Sequence, residues 1–430
     1  MITAVYSFRN KREYIFRTNE MREIKGASVL LSEVFSVFAE ETQKYGMKIK
    51  NSWRDDSEFG VDFDVSLFEK SGCDGEVLYS DGDELDIIYK NKDIYIKANR
   101  IFSKFLLENT YSADVFSVCT EFSGDFRKDM KILSKLSKTA LNQENNSLPC
   151  NVMPFTLTDN YTFMPLYENG LTAESGHKLD AYERCFDKNN NLINKFSRML
   201  AIICIGSDDK NISDIYENSD YNESVSRMRK LICRRDSDID YFTSFAVKNC
   251  VEIKNIYDNV HGYIRITGKK TFFICLAEDA FEILNNYLFE VSDVCVGTAL
   301  FNRNVPMSYA CERAEKFCSP HTIGFFCFSS GKSTGALSIR YNIDEFQEFL
   351  RAGKVFEKIG KKNLEILSES IIKGDAYFTF ETERIKSEYR GGVAQFIRKY
   401  SENTEKLKEL VQNVSVFYDV LPSAEDNRYV

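Results

Sequence analysis

VLYSDGDELDIIYK, residues 77–90, is the stretch whose reading decides the fold. Two apolar, β-prone arms flank a polar turn, Ser80 to Glu84, and such a run closes on itself as a β-hairpin. Working outward, the chain opens with a short apolar strand, Ile2 to Tyr6, and a basic stretch (Arg9, Lys11, Arg12, Arg17, Arg22, Lys25). A helical run, ASVLLSEVFSVFAEETQKYG, follows and ends at a capping Gly46. Beyond the hairpin come an amphipathic helix, IKANRIFSKFLLEN, and a strand, ADVFSVCTEF. The order is strand, helix, hairpin, helix, strand.

The same order returns after Phe196. MLAIICIG reads as a buried strand, and NESVSRMRKLICRR onward as helix. GYIRITGKKTFFICL is a second hairpin with its turn at Thr267 to Lys270. EDAFEILNNYLFE is a helix, VCVGTALF a strand, VPMSYACERAEKFC a proline-opened helix and HTIGFFCFSS a strand. A duplicated supersecondary plan is the simplest account. It predicts an α/β (α+β) protein with two ferredoxin-like palm domains, residues 1–140 and 196–330. Between them lies an Asn-rich connecting segment, 141–195, and a helical C-terminal domain, 331–430, follows. In the tail Lys354, Lys358, Lys361 and Lys362 fall at i, i+4, i+7 and i+8. That spacing predicts one helix face, either solvated or a docking stripe for RNA or an acidic partner.

With 430 residues, two or three domains are expected. A net charge of −9 argues against autonomous nucleic-acid binding and for a small nucleotide or a protein partner. None of the 12 cysteines forms a Cys-x-x-Cys pair, and several, such as Cys204 and Cys275, sit in apolar runs. Free thiols in a reducing compartment are predicted rather than zinc sites. No signal-like or membrane-spanning apolar run is present, so a cytoplasmic location with no membrane partner is expected.

YIFRTNEMREIKGASVLLSEVF (14–35) resembles the opening of the first palm in the large subunit of type III CRISPR effector complexes. The second half resembles the same family, with a strand reaching a GSDD, a hairpin, then VCVGTALFNRNVPMSYACERAEKF. The likeness covers roughly residues 1–330 and, more loosely, the helical tail. It implies polymerase- and cyclase-related palms, ATP as ligand or substrate, and Mg²⁺ or Mn²⁺. In active members it implies synthesis of cyclic oligoadenylate messengers on recognition of target RNA. The partners it implies are CRISPR-type protein subunits and guide or target RNA, and a homodimer is a further expectation. Many members add an N-terminal His-Asp nuclease domain. Here His177, His261 and His321 are the only histidines and none precedes an Asp, so that nuclease is expected to be absent.

Palm nucleotidyl transfer needs two divalent ions held by carboxylates from the end of the first strand and from the hairpin turn. In the first half the turn is Asp81-Gly82-Asp83-Glu84, followed by Leu85. It resembles the Gly-Gly-Asp-Glu-Phe of bacterial cyclic-dinucleotide synthases. Asp83 and Glu84 are the candidate catalytic residues, and Asp81, Asp83 and Glu84 the candidate metal ligands. The first strand, however, ends in Ser7, Phe8, Arg9 and Asn10, with no carboxylate. The second half is the converse. Asp208 and Asp209 follow its first strand as candidate metal ligands, but its turn reads Thr267-Gly268-Lys269-Lys270. Lysine cannot ligate Mg²⁺, though it binds phosphate as a point charge. Gly82, Gly268, Lys269, Lys270, Lys316 and Arg17 are the candidate nucleotide-binding residues, with Arg22 and Lys25 as further triphosphate contacts. Two readings lead, a nucleotide-binding palm protein that makes or senses a messenger and a catalytically inactive scaffold subunit. A third, a plain RNA-binding protein, is disfavoured by the net charge and rests on the tail lysine stripe alone.

Overall fold

The computed structural model describes residues 1–51, 62–142, 158–159, 164–167, 170–185, 199–206, 212–249, 263–267, 270–288, 295–302, 305–328, 337–418 and 421. The first sheet is built from β1 (Ile2–Phe8), β2 (Ile49–Lys50), β3 (Gly75–Ser80), β4 (Glu84–Tyr89) and β5 (Val115–Glu121), in the order β2-β3-β4-β1-β5. β1 lies antiparallel between the hairpin strand β4 and the last strand β5. Helices α1 (Lys11–Ile15), α2 (Met21–Val34) and α3 (Phe38–Lys44) follow β1. Next come α4 (Val65–Lys70), α5 (Lys92–Thr110) between β4 and β5, and α6 (Phe126–Leu141) after β5. One face of the sheet carries Tyr6, Leu85 and Tyr89, and an aromatic cluster of Tyr6, Phe35, Phe38 and Phe102 packs there.

The second sheet runs β11-β10-β9-β6-β8-β7. Its strands are β6 (Leu200–Gly206), β7 (Tyr263–Thr267), β8 (Lys270–Leu276), β9 (Cys295–Phe301), β10 (Thr322–Cys327) and β11 (Leu337–Tyr341). In chain order the helices from here to the tail are α7 (Ala173–Cys185), which precedes the sheet and packs on α2 and α5, α8 (Ile212–Glu217), which packs on α6 and α9, then α9 (Tyr221–Asn249), α10 (Ala277–Leu288) and α11 (Met307–Phe317). Its strands alternate strictly. Ile202, Cys204, Phe272, Ile274 and Ala299 join the core of the first half. Ala201, Ile203, Phe273, Cys275 and Leu300 face a second core shared with the C-terminal helices. Period-two side chains with both faces covered explain why these strands read as continuous apolar runs. The mixed α/β fold with two palm-type sheets is therefore as the repeat predicted.

Several local expectations are corrected. The tail does not begin as helix, because Leu337–Tyr341 pairs antiparallel with β10 as an edge strand. After it come α12 (Ile343–Glu357), α13 (Lys361–Lys373), α14 (Asp375–Glu388), α15 (Gly392–Lys399) and α16 (Thr404–Phe417). The four tail lysines do not share one helix. α12 ends before Lys358, and Gly360 at φ +77° turns the chain before Lys361 and Lys362 start α13. The segment between the two halves, read from its Asn-rich ends as a connection, contains helix α7. The Gly-Ala-Ser of the opening stretch lies inside α2, not before it. A Cβ on Gly26 would sit 1.7 Å from the Lys178 carbonyl oxygen, so only glycine lets α2 and α7 touch backbone to backbone here. The ten described cysteines are free thiols, and among the described residues no helix is long and apolar enough to cross a membrane.

Candidate functional site

The first hairpin turn holds itself. Asp81 Oδ1 accepts from the backbone N–H groups of Asp83 and Glu84, both at 2.9 Å, and Asp81 N–H donates to the Glu84 carbonyl at 3.2 Å. Gly82 takes φ +86°, which a side chain would resist. One oxygen of Asp81 is therefore committed to shaping the loop. Register places Ser7 directly across from Glu84, so a serine stands where a first-strand carboxylate would belong.

Asp83 is already neutralised. Lys11, on α1, donates to Asp83 Oδ1 at 2.7 Å and to the Gly82 carbonyl at 3.3 Å, with its side chain only 9% exposed. The ammonium also lies 5.3 Å from the Phe8 ring. Its positive charge stands against the turn where a cation would be held. Next along α1, Arg12 donates to Glu315 of α11, and Glu315 also pairs with Lys270 of the second hairpin at 3.5 Å. Arg9 is fixed by Asp114 at 2.8 Å. Ser7, Phe8, Arg9, Lys11, Arg12, Asp83, Glu84 and Glu315 line one cavity of about 420 Å³.

Beneath the turn lies Asp86, only 1% exposed, with neither carboxyl oxygen hydrogen-bonded. Burial first, and then the charges of Glu84 and Asp81, push its carboxyl well above the ordinary range, which favours the protonated form. Tyr79, across the strand from it, pulls weakly the other way.

The structure thus brings Asp81, Gly82, Asp83 and Glu84 together with a basic segment, and Lys270 approaches through Glu315. Asp208, Asp209, Gly268 and Lys269 lie outside the described residues. Arg17 is elsewhere. It pairs with Glu174 at 2.5 Å and Ser112 at 3.0 Å, and lines a separate cavity of about 570 Å³ with Phe16, Asn19 and Pro306. Lys316 is exposed at the end of α11. Lys25 is buried on α2, where desolvation pulls its ammonium down to about 8, so it is not a surface triphosphate contact. Sequence reasoning noted Lys11 and Arg12 only as part of a basic stretch and missed Glu315 and Asp86. The adjacent Lys-Arg pair just after the first strand was the available signal.

The residues do not fit a two-cation site in the first half. Among the described residues no three His, Cys, Asp or Glu side chains gather as a metal would require, and Asp83 already has a lysine for its counter-charge.

No family model matches this sequence, and no curated protein matches it. Solved structures do. A Csm1–Csm4 cassette in complex with cA4 aligns over 98% of this chain and 69% of its own, with TM-score 0.54 and 12% identity. The fold is that of Csm1. Csm1 from T. onnurineus aligns over 97% of this chain and 69% of its own, with TM-score 0.53 and 13% identity. A Csm1–Csm4 cassette in complex with one ATP gives 0.53 and 12% over 98% and 69%. The Csm1 fold is thus the palm-bearing architecture of type III CRISPR effectors that the opening stretch resembles.

Proposed function

We propose that this chain is the palm-bearing subunit of an RNA-guided antiviral defence complex, and that it holds a nucleoside triphosphate, ATP foremost, beside its first hairpin. One observation carries the reading. Asp83 and Glu84 of the turn and the cations Arg9, Lys11 and Arg12 line one cavity of a few hundred cubic ångströms, within the range of small-ligand sites. The Csm1 structures of like fold, in complex with ATP or cA4, support that ligand class. The triphosphate takes the place of Asp83 on Lys11 and of Glu315 on Arg12, exchanging carboxylate for phosphate as the acceptor of charge-assisted hydrogen bonds. At this turn the nucleotide is bound rather than turned over, because the carboxylate set for metal-assisted transfer is incomplete. Partner subunits of the CRISPR type and guide or target RNA belong to the same proposal.

Calorimetry with ATP, paired with chromatographic analysis of products in Mg²⁺ or Mn²⁺, tests it. Arg12→Ala and Lys11→Ala should each weaken ATP binding about tenfold, the loss of one charge-assisted contact. Asp83→Asn should retain or tighten binding, since it frees Lys11. A cyclic or linear oligonucleotide product that disappears in Asp83→Asn would replace binding with catalysis. Failure of the wild-type protein to bind any nucleoside triphosphate leaves the scaffold reading.

A further inference from the structure

The tail lysines lose their shared face, but another helix has one that is continuous. α6 carries Lys128, Lys131, Lys135 and Lys138, spaced 3, 4 and 3 residues apart. At about 100° per residue they fall within a sector of roughly 80°. All four are exposed, and no hydrogen bond or ion pair engages their ammonium groups among the described residues. Arg127 flanks them, with Glu217 4.0 Å away. The acid within the helix, Asp129, is fully buried. It accepts from Ser123 and from the Tyr221 hydroxyl at 2.9 Å. With Phe126, Met130 and Leu133 in the core, these bonds fix the helix rotation, so the lysines point outward.

From these observations we infer that the outer face of α6 docks the phosphodiester backbone of a nucleic-acid strand. Lys128 to Lys138 spans about 15 Å of helix. A stacked strand places a phosphate every ~3.4 Å along its axis, so about four phosphates lie over four ammonium groups. Cores of protein interfaces are depleted in lysine and enriched in aromatic residues and arginine, and the four facing residues here are all lysine. A membrane-surface helix would need its apolar face free; Phe126, Met130 and Leu133 of that face are buried in the first core, and only Ile132, Leu136 and Leu141 are exposed. In a chain of net charge −9, so one-signed a face is a local exception. Its site is separate from the nucleotide cavity and does not depend on it.

The test is fluorescence anisotropy of the full chain with a labelled 20-nucleotide single-stranded RNA over a salt series, with DNA of the same sequence beside it. Lys128, Lys131, Lys135 and Lys138 are replaced together by Gln, which keeps helix propensity. The charge-matched control carries Gln at Lys354, Lys358, Lys361 and Lys362. For the α6 variant we expect at least tenfold weaker binding at low salt. The slope of log Kobs against log salt should be shallower by about 3, near 0.7 for each lost contact. The control and the ATP affinity of both variants should stay at wild-type values. Similar binding of RNA and DNA supports a backbone contact. An unchanged salt slope in the α6 variant defeats the inference, as do equal losses in both variants. Polyglutamate binding to this face with higher affinity than RNA defeats it in favour of an acidic protein partner.

Discussion

Asp86 sets the chemistry beneath the hairpin turn. Burying this carboxyl favours its protonated form, because ionising it there costs the solvation that water would supply. Its folded-state value is raised above the unfolded one, mainly by burial and then by Glu84 and Asp81. As pH rises past the ordinary aspartate range, the unfolded chain releases this proton while the folded chain retains it. Stability therefore falls with rising pH through that window. Asp86→Asn removes the proton release while keeping the shape. Its unfolding temperature relative to wild type should climb between pH 4 and pH 8, with a gain of about 1–3 kcal/mol at the upper end. Thermal melts at several pH values read this directly, and a difference that stays flat or shrinks means that Asp86 is ionised and paired in the fold. Lys11 makes the complementary point at the turn itself. It places one positive charge against Asp83 without the ligand-exchange chemistry of a metal.

Among the elements, α11 positions the site, and two glycines let it do so. Gly297 on β9 pairs with Gly324 on β10, side by side in the sheet. A Cβ on Gly297 would lie 2.0 Å from the Ala314 carbonyl oxygen, and one on Gly324 would lie 2.4 Å from that of Phe317. The last turn of α11 thus rests on bare backbone, and Glu315 is delivered to the cavity from there. Gly297→Ala should destabilise the protein by about 1–3 kcal/mol in urea unfolding. It should also raise ATP affinity, as α11 is pushed from the sheet and takes Glu315, the anion that competes for Arg12, with it. Wild-type stability would show that the helix has room to shift. The glycines also mark where sequence reading stops. Hairpins, buried strands and the proline-opened helix were legible because each rests on local periodicity and turn chemistry. The edge strand β11 was not, because Leu337–Tyr341 is a strand only by virtue of its pairing with β10. The turn residues of the site were legible from Asp81 to Glu84. The Arg12–Glu315 contact was not, since no local pattern links residues so far apart in the chain.

Across the whole molecule the two halves are joined by polar contacts as well as by a shared core. Arg229 of α9, 2% exposed, donates to the Val77 and Leu78 carbonyls at 3.0 and 2.7 Å. It uses acceptors at the irregularity in the β3–β4 register between Val77 and Tyr79. Burial lowers its guanidinium to about 10, which leaves it charged at neutral pH. At the site, a line of charge runs from one hairpin turn to the other: Asp83 to Lys11, its neighbour Arg12 to Glu315, and Glu315 to Lys270. Glu315 is the shared anion, and while it holds Arg12 it competes with any phosphate for that cation. Glu315→Gln should raise ATP affinity about fivefold, near 1 kcal/mol for a partly exposed pair, and more at low salt than at high. The same change should abolish coupling between the two cations. In a double-mutant cycle of Arg12→Ala and Lys270→Ala, the effects on ATP binding should be non-additive in the wild-type background and additive in Glu315→Gln. Lower ATP affinity in Glu315→Gln would make Glu315 a ligand of the nucleotide rather than its competitor. Additivity in the wild-type background would show that the two turns act independently despite the charges between them.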